Sequence, residues 1–267
     1  VYDAYEKGFE KYNVEYADFV TADEMSDETI KELENDNKVR IYDQRYYKLK
    51  ESKRNATIRV YGERKEVNKL CIMSGRLAKA DDEITLDRVF AKNNDYKVGD
   101  NIKIGDKDYK ITGFVAMPDY SCLFEDNADM MFDSVNFGVA SMTDSGLKKL
   151  KKSKLNYCYA MRYNKKPKSD KEQKNMSDDF LKSLAKKAAV TSYIPRCENK
   201  AINFTGDDMG GDKAMFILFD YIVIAILAFV FAITTSNTII KEAGVIGTLR
   251  ASGYTRGEIV RHYMINP

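Results

Sequence analysis

Residues 214–235 read AMFILFDYIVIAILAFVFAITT, 22 positions with a single charge, Asp220. A helix over this run would span roughly 33 Å, enough to cross a hydrocarbon core. Core helices of soluble proteins rarely stay apolar all round over such a length, so the pattern predicts a membrane span. Upstream, apolar and polar positions alternate on shorter scales. Tyr5, Phe9 and Tyr12 recur at helical spacing, which predicts a helix through residues 1–20 that rises into the domain. Residues 26–35 (SDETIKELEN) predict a short amphipathic helix with Ser26 as its N-cap.

Strand-like alternation follows in TIRVY (57–61), EITL (83–86) and NIKI (101–104). The turn GDKD (105–108) joins NIKI to YKITGFV (109–115), the clearest hairpin in the chain. DRVFAKNN (87–94) reads as one short helix, and MPDY (117–120) as a closing turn. FGVASM (137–142) predicts a strand, residues 145–154 a Lys-rich helix, and NYCYAMRY (156–163) another strand. KKPKSDKEQKN (165–175) reads as a charged surface linker, followed by a helix over DDFLKSLAKKAA (178–189). No repeat or low-complexity tract is present. The first 212 residues therefore read as one mixed α+β domain of hairpins and a few helices.

Charge orients the apolar run. After it, Lys241, Arg250, Arg256 and Arg261 outnumber Glu242 and Glu258; before it, the nearest charges are Asp207, Asp208, Asp212 and Lys213. The positive-inside rule puts the C-terminal segment in the cytoplasm and the larger domain outside. Four bases against two acids account for the whole formal charge of +2, so the outer domain is close to neutral, which argues against nucleic acid as a partner. Cys71, Cys122, Cys158 and Cys197 all fall in the outer domain without CxxC spacing; disulfides and buried free thiols are both compatible with them. The chain has no signal peptide, starts at Val1 without methionine and ends at Pro267 in mid-pattern, as a fragment of a longer membrane protein would.

Several chemistries have no residues to carry them. The one histidine, His262, lies beyond the apolar run, so the outer domain offers no imidazole for zinc or for an activated nucleophile. The acidic stretches LFEDNAD (123–129) and TGDDMGGD (205–212) lack calcium-loop spacing and read as solvated loops. No P-loop motif is present, and nothing selects a carboxylate pair for glycoside chemistry. No catalytic residue, metal ligand or cofactor is expected.

The segment after the apolar run is more informative. Residues 237–251 can continue the span as one helix, with Ala243, Gly247 and Ala251 as a stripe of small residues and Gly244 beside it. Each interior glycine costs about 0.5–1 kcal/mol relative to alanine. A helix end drifting into loop would explain them, and so would a surface that another backbone approaches closely. The following residues favour a built turn. Gly253 suits the left-handed residue that stops a helix, and Thr255 with Glu258 has the spacing of a capping box. A second helix would carry Ile259, Val260, Tyr263 and Met264 with Arg256 and Arg261.

These residues, NTIIKEAGVIGTLRASGYTRGEIVRHYMINP, resemble the FtsX-like permease family of ABC transporters, which includes macrolide-exporter-type (MacB-like) and lipoprotein-release-type members. The family pattern after its second membrane helix is matched by Glu242, then Ile246, Gly247, Leu249, Arg250, Ala251 and Gly253, then Ile259. Residues 74–120 are similar to the family's extracytoplasmic core through Gly75, Glu83, Ile84, Leu86, Ala91, Val98, Gly99, Asp100 and Gly113. Ala78 departs from that pattern, where a proline is common. Together the two regions cover about a third of the chain.

The resemblance implies an extracytoplasmic MacB-like core domain at 1–212, a transmembrane helix at 213–236 and a cytoplasmic coupling segment at 237–267. It implies a non-catalytic permease that dimerises in the cell membrane and binds a separate ATPase subunit. The ATPase contact would fall on Glu242, Ile246, Gly247, Leu249, Arg250, Ala251, Gly253, Tyr254 and Arg256. ATP-driven closure would push a stiff helix over residues 212–251, about 60 Å long, and rearrange the outer domain by mechanotransmission. The load would be an exported peptide, lipid or antibiotic. The other readings are a regulator of an extracellular cell-wall hydrolase and the ectodomain of a membrane-anchored receptor. Asp220 fits a helix projecting beyond the outer leaflet, or an intramembrane functional carboxylate.

Overall fold

The computed structural model describes the backbone of residues 2–150 and 154–265. Residues 151–153 of the expected Lys-rich helix, the chain's last two residues and the Met264 side chain lie outside the described residues. Two units are present, Val1–Asp208 and Met209–Pro267.

The first unit opens with α1 (Tyr2–Lys11) and β1 (Ala17–Thr21). The helix expected over residues 1–20 thus ends halfway. Asn13 turns the chain at φ 54, a conformation that asparagine tolerates, and β1 then enters the sheet with Phe19 fully buried. Next come α2 (Asp27–Asn37), β2 (Val39–Asp43), β3 (Tyr46–Lys50), β4 (Thr57–Tyr61), β5 (Cys71–Gly75), β6 (Glu83–Asp87) and α3 (Arg88–Asn93). Ser26 caps α2 by accepting from the Thr29 N–H at 3.1 Å, as its position predicts. β7 (Asn101–Ile104) and β8 (Lys107–Ala116) form the expected hairpin, and β9 (Phe137–Ser141), α4 (Asp144–Lys148) and β10 (Leu155–Tyr163) follow.

α5 (Asp170–Lys187) starts inside the stretch that reads as a linker. Ser169 caps it by accepting from the Glu172 N–H at 3.2 Å, and Gln173 and Ser177 turn inward. Lysine and glutamate are good helix formers, so charge density alone was a poor sign of a linker. β11 (Val190–Pro195), a 3₁₀ turn (Arg196–Glu198) and the start of α6 (Lys200–Lys241) complete the unit.

Among the described residues, eleven strands make one sheet in the order β11-β1-β10-β3-β4-β9-β6-β8-β5, with β2 on β10 and β7 on β8. β10 joins its two halves. Leu155 and Asn156 pair with β3, whereas Tyr157 to Met161 pair with β1 and Tyr159 to Tyr163 with β2. Each half has its own core. Ile58, Ile84, Leu86, Phe90, Ile111 and Phe137 fill the larger. Phe19, Leu33, Tyr159, Phe180 and Leu184 fill the smaller, which involves α2 and α5. No disulfide joins the four cysteines. At about 1.5–3 kcal/mol per fully buried large apolar side chain, these cores supply stabilisation without covalent staples.

The acidic stretch 205–212, expected as a loop, lies within α6 instead. Gly210 and Gly211 weaken a helix locally, but helix formation propagates from the long apolar run that follows. α6 has 42 residues and is about 63 Å long.

In the second unit α6 stops at Lys241, and α7 (Ala243–Ala251) starts after the single residue Glu242, at φ −96 and ψ 9. The uninterrupted helix expected through residue 251 is therefore broken once. The hydrogen-bond ladder runs on across the break, Glu242 N–H to Thr238 C=O at 3.0 Å and Ile246 N–H to Glu242 C=O at 2.9 Å. Gly244 and Gly247 soften the helix here, and α8 (Arg256–Ile265) reaches back so that the Tyr263 hydroxyl donates to the Glu242 carboxylate.

Candidate functional site

Two places in the molecule have the makings of a site, one in each unit. In the second, α6 is long and apolar enough to cross a membrane by length and composition, and no side chain of its most apolar window is buried. A soluble core helix would bury them. Beyond the break, α7 ends in a Schellman motif. The Tyr254 N–H donates to Leu249 C=O and the Gly253 N–H to Arg250 C=O, both at 3.2 Å, with Gly253 at φ +98. α8 opens with a capping box. The Thr255 N–H donates to the Glu258 carboxylate at 2.8 Å, and the Glu258 N–H donates back to Thr255 Oγ1 at 3.4 Å.

The nine residues singled out in the sequence cluster on this helix-turn-helix. Gly247, Arg250, Ala251, Gly253, Tyr254 and Arg256 are exposed, and Ile246 and Leu249 are half-buried. Glu242 is half-buried with its carboxylate engaged by Tyr263. A Cβ added at Gly244 or Gly247 would meet nothing within 4 Å. The chain's own packing therefore gives no reason for glycine at either position.

The other place is a cavity of about 290 Å³ inside the first unit. It lies where the two halves of the sheet meet, with lining from β1, β3, β4, β10 and β11 and from the segment after β8. Polar side chains dominate it, which sequence reading did not anticipate. Arg64, only 2% exposed along its side chain, donates to Asp119 Oδ1 at 2.6 Å and lies 4.0 Å over the Tyr61 ring. Arg59 lies between the rings of Tyr46 and Phe137, at 5.1 and 5.3 Å. It donates to Tyr120 Oη at 2.8 Å and to the Glu125 carbonyl. The Tyr61 and Tyr120 hydroxyls share a hydrogen bond of 2.7 Å.

Two further carboxylates line the cavity. Glu15 accepts from Asn68 Nδ2 at 2.8 Å, and Asp18 accepts from Asn199 Nδ2 at 3.2 Å. Burial raises both: Glu15 well above the usual carboxylate range, reinforced by the Asp18 and Asp119 charges, and Asp18 to about 7, against the pull of Arg59 and with help from Asp119. The acidic stretch 123–129, expected as a solvated loop, forms part of the wall through Phe124, Glu125, Asp126 and Asn127. It is latched to the start of α6, where the Lys200 N–H donates to Asn127 Oδ1 at 2.8 Å and Asn127 Nδ2 to Glu198 C=O at 3.0 Å. Cavity residues run from Glu15 to Ala201, too scattered for any motif. The one signal in the sequence was Arg59, a charge at the centre of an otherwise strand-like TIRVY.

The chain thus combines a mixed α+β domain with a long apolar helix of the kind that crosses membranes. The structure is similar to the periplasmic region of MacB from Actinobacillus actinomycetemcomitans, with 15% sequence identity, a TM-score of 0.39, and coverage of 72% of this chain and 91% of that one. It is similar also to the extracellular domain of the noncanonic ABC-type transporter YknZ from Gram-positive bacteria, with 12% identity, a TM-score of 0.38, and coverage of 67% and 98%. No family model matches the chain, and no curated protein matches it.

Proposed function

We propose that the chain belongs to the permease subunit of an FtsX-like ABC transporter, in which residues 1–212 lie outside the membrane, 213–236 cross it and 237–267 lie in the cytoplasm. A separate ATPase subunit docks on the helix-turn-helix and drives rearrangement of the outer domain; the permease is dimeric and does no chemistry itself. The load is a peptide, lipid or antibiotic.

The observation that carries this reading is the pair Gly244 and Gly247. Both sit in α7, where each weakens the helix, and a Cβ at either would meet open space. Glycines without an internal reason, beside a doubly capped turn and an exposed apolar helix, fit a surface on which a partner's backbone comes close. The resemblance in residues 242–259 supplies the partner's identity. On this reading Arg250 and Arg256 present cations to the ATPase. Glu242 sets the angle of α8 through Tyr263, because its carboxylate is already engaged.

The test is co-expression of the full-length protein with its ATPase, followed by purification from membranes. Gly247→Glu and Arg250→Glu are each expected to lose the ATPase while the permease itself still inserts. Co-purification of an intact complex with both variants would refute the docking surface.

A further inference from the structure

The half-open cavity in the first unit brings residues of both signs of charge together, yet only one direct ion pair forms among them. Arg64 and Asp119 form an ion pair at 2.6 Å. Arg59 donates to a hydroxyl and a carbonyl, both neutral. Among the described residues Glu15 and Asp18 are held by neutral amides, from Asn68 and Asn199. Arg59, Glu15 and Asp18 thus make no direct ion pair among the described residues, although the Arg59 charge acts on Asp18 from farther off. Ionising such buried carboxyls is costly, which holds both protonated beyond the usual range, and a bound ammonium would compensate their charge.

Unpartnered polar atoms point the same way. Gln44 is 8% exposed, lines the cavity, and its Oε1 has no hydrogen-bond partner. The buried Nε atoms of Arg59 and Arg64 also have none. All three are closed to solvent as they stand, so they mark unmet hydrogen-bonding capacity beside the cavity rather than groups on its surface. A metal ion does not fit, because no group of three or more His, Cys, Asp or Glu side chains is placed to hold one among the described residues. A plain anion would meet Glu15 and Asp18, and a plain cation would meet Arg59 and Arg64. A volume of about 290 Å³ lies at the lower end for ligand pockets and excludes a folded partner.

We propose that this cavity binds a small zwitterion, whose ammonium meets Glu15 and Asp18 and whose carboxylate meets Arg59. The chemical class is the free amino acid or very short peptide. Tyr46, Tyr61 and Phe124 line the remaining wall and would receive an apolar side chain. Tyrosine faces also favour an ammonium nearby.

The inference stands on the first unit alone and does not rest on the permease reading. Its test is equilibrium binding to the purified chain in detergent micelles, by thermal shift and calorimetry, with each of the twenty common L-amino acids and with Ala-Ala. At least one probe is expected to raise the melting temperature and bind saturably. Its N-acetyl derivative and its carboxamide are expected to fail, because each removes one of the two charges. Glu15→Gln and Asp18→Asn retain shape and the amide contacts, so the fold survives, and each is expected to weaken binding at least tenfold. Binding by Ala-Ala alone would identify a peptide site, and binding by a single amino acid alone a free-metabolite site; both support the proposal. It is overturned if no probe binds, if the blocked derivatives bind as well as the free compound, or if both variants bind unchanged. None of these results bears on co-purification of the ATPase.

Discussion

Gly75 and Gly113 stand directly opposite each other where β5 pairs with β8. A Cβ on Gly75, which lies at φ +69, would strike the Thr112 carbonyl oxygen and sit 2.8 Å from the Gly113 Cα. A Cβ on Gly113 would sit 2.8 Å from both the Arg76 nitrogen and the Ser74 oxygen. Every obstacle is backbone, so no rotamer change relieves it. The close approach seats the turn from which Arg76 reaches Glu83, at 2.7 and 2.5 Å.

Gly75→Ala and Gly113→Ala should therefore each destabilise the first unit by about 2–3 kcal/mol, from strain and overpacking together. Gly8→Ala provides the contrast: it lies in α1 with nothing within 4 Å of its added Cβ and should stabilise by about 0.5–1 kcal/mol. Denaturant midpoints at constant slope measure all three.

Arg64 and Asp119 form the matched charge pair of the cavity, and both side chains are nearly inaccessible to water. Removing one partner strands the other. Asp119→Leu and Arg64→Met alone are each expected to cost about 3–5 kcal/mol. The double variant Arg64→Met, Asp119→Leu should recover most of that loss, since no unpaired charge remains. A double-mutant cycle reads the difference. Costs that simply add would show that the two residues act independently.

Asp18 makes stability depend on pH in a stated direction. Burial lifts its carboxyl from an ordinary value of 3.8 to about 7. Its contribution is therefore complete below the unfolded value and is lost as pH rises through about 7. Among nearby charges Arg59 favours the charged form and Asp119 opposes it, and burial outweighs Arg59. The melting temperature should fall between pH 5 and 8. Asp18→Asn should flatten that fall and raise the melting temperature at pH 8 by about 2–6 °C. A residual slope of the same sign should remain, because Glu15 is also raised.

What could be read from the sequence was what local chemistry decides. The β7–β8 hairpin, the Ser26 cap, the strands at TIRVY and NYCYAMRY, and the Gly253 and Thr255–Glu258 turn each depend on residues within a few positions of one another. β1 could not be read so, because ADFVT is strand only through pairing with β10 and β11, more than 130 residues away. The second half of α5 was legible as a helix over 178–189, whereas its start at Asp170 was hidden by lysines that suggested a linker. The short strands β2, β3, β5 and β11 likewise take their form from partners elsewhere in the chain. The helix-turn-helix candidate was visible because caps and small-residue spacing are local. The cavity was not, since Asp18, Arg59, Asp119 and Asn199 meet only once the sheet is assembled.

The turn between α7 and α8 yields the last prediction. A ten-residue helix is marginal on its own, and among the described residues only Ile259 of the second unit is buried. Packing therefore contributes little to α8, and its ends decide whether it forms. Thr255→Ala removes the side-chain half of the capping box and should cost about 1 kcal/mol. Gly253→Ala forces a Cβ into φ +98 and should cost about 1–2 kcal/mol. Tyr263→Phe removes the hydrogen bond to Glu242 that ties α8 to the α6–α7 break. Hydrogen exchange in the purified chain should report all three as faster exchange at the α8 amides, about fivefold or more for each cap. Amides of the first unit should be unchanged. If the α8 amides exchange no faster in any of the three, the turn is not held by its caps, and α8 draws its order from packing.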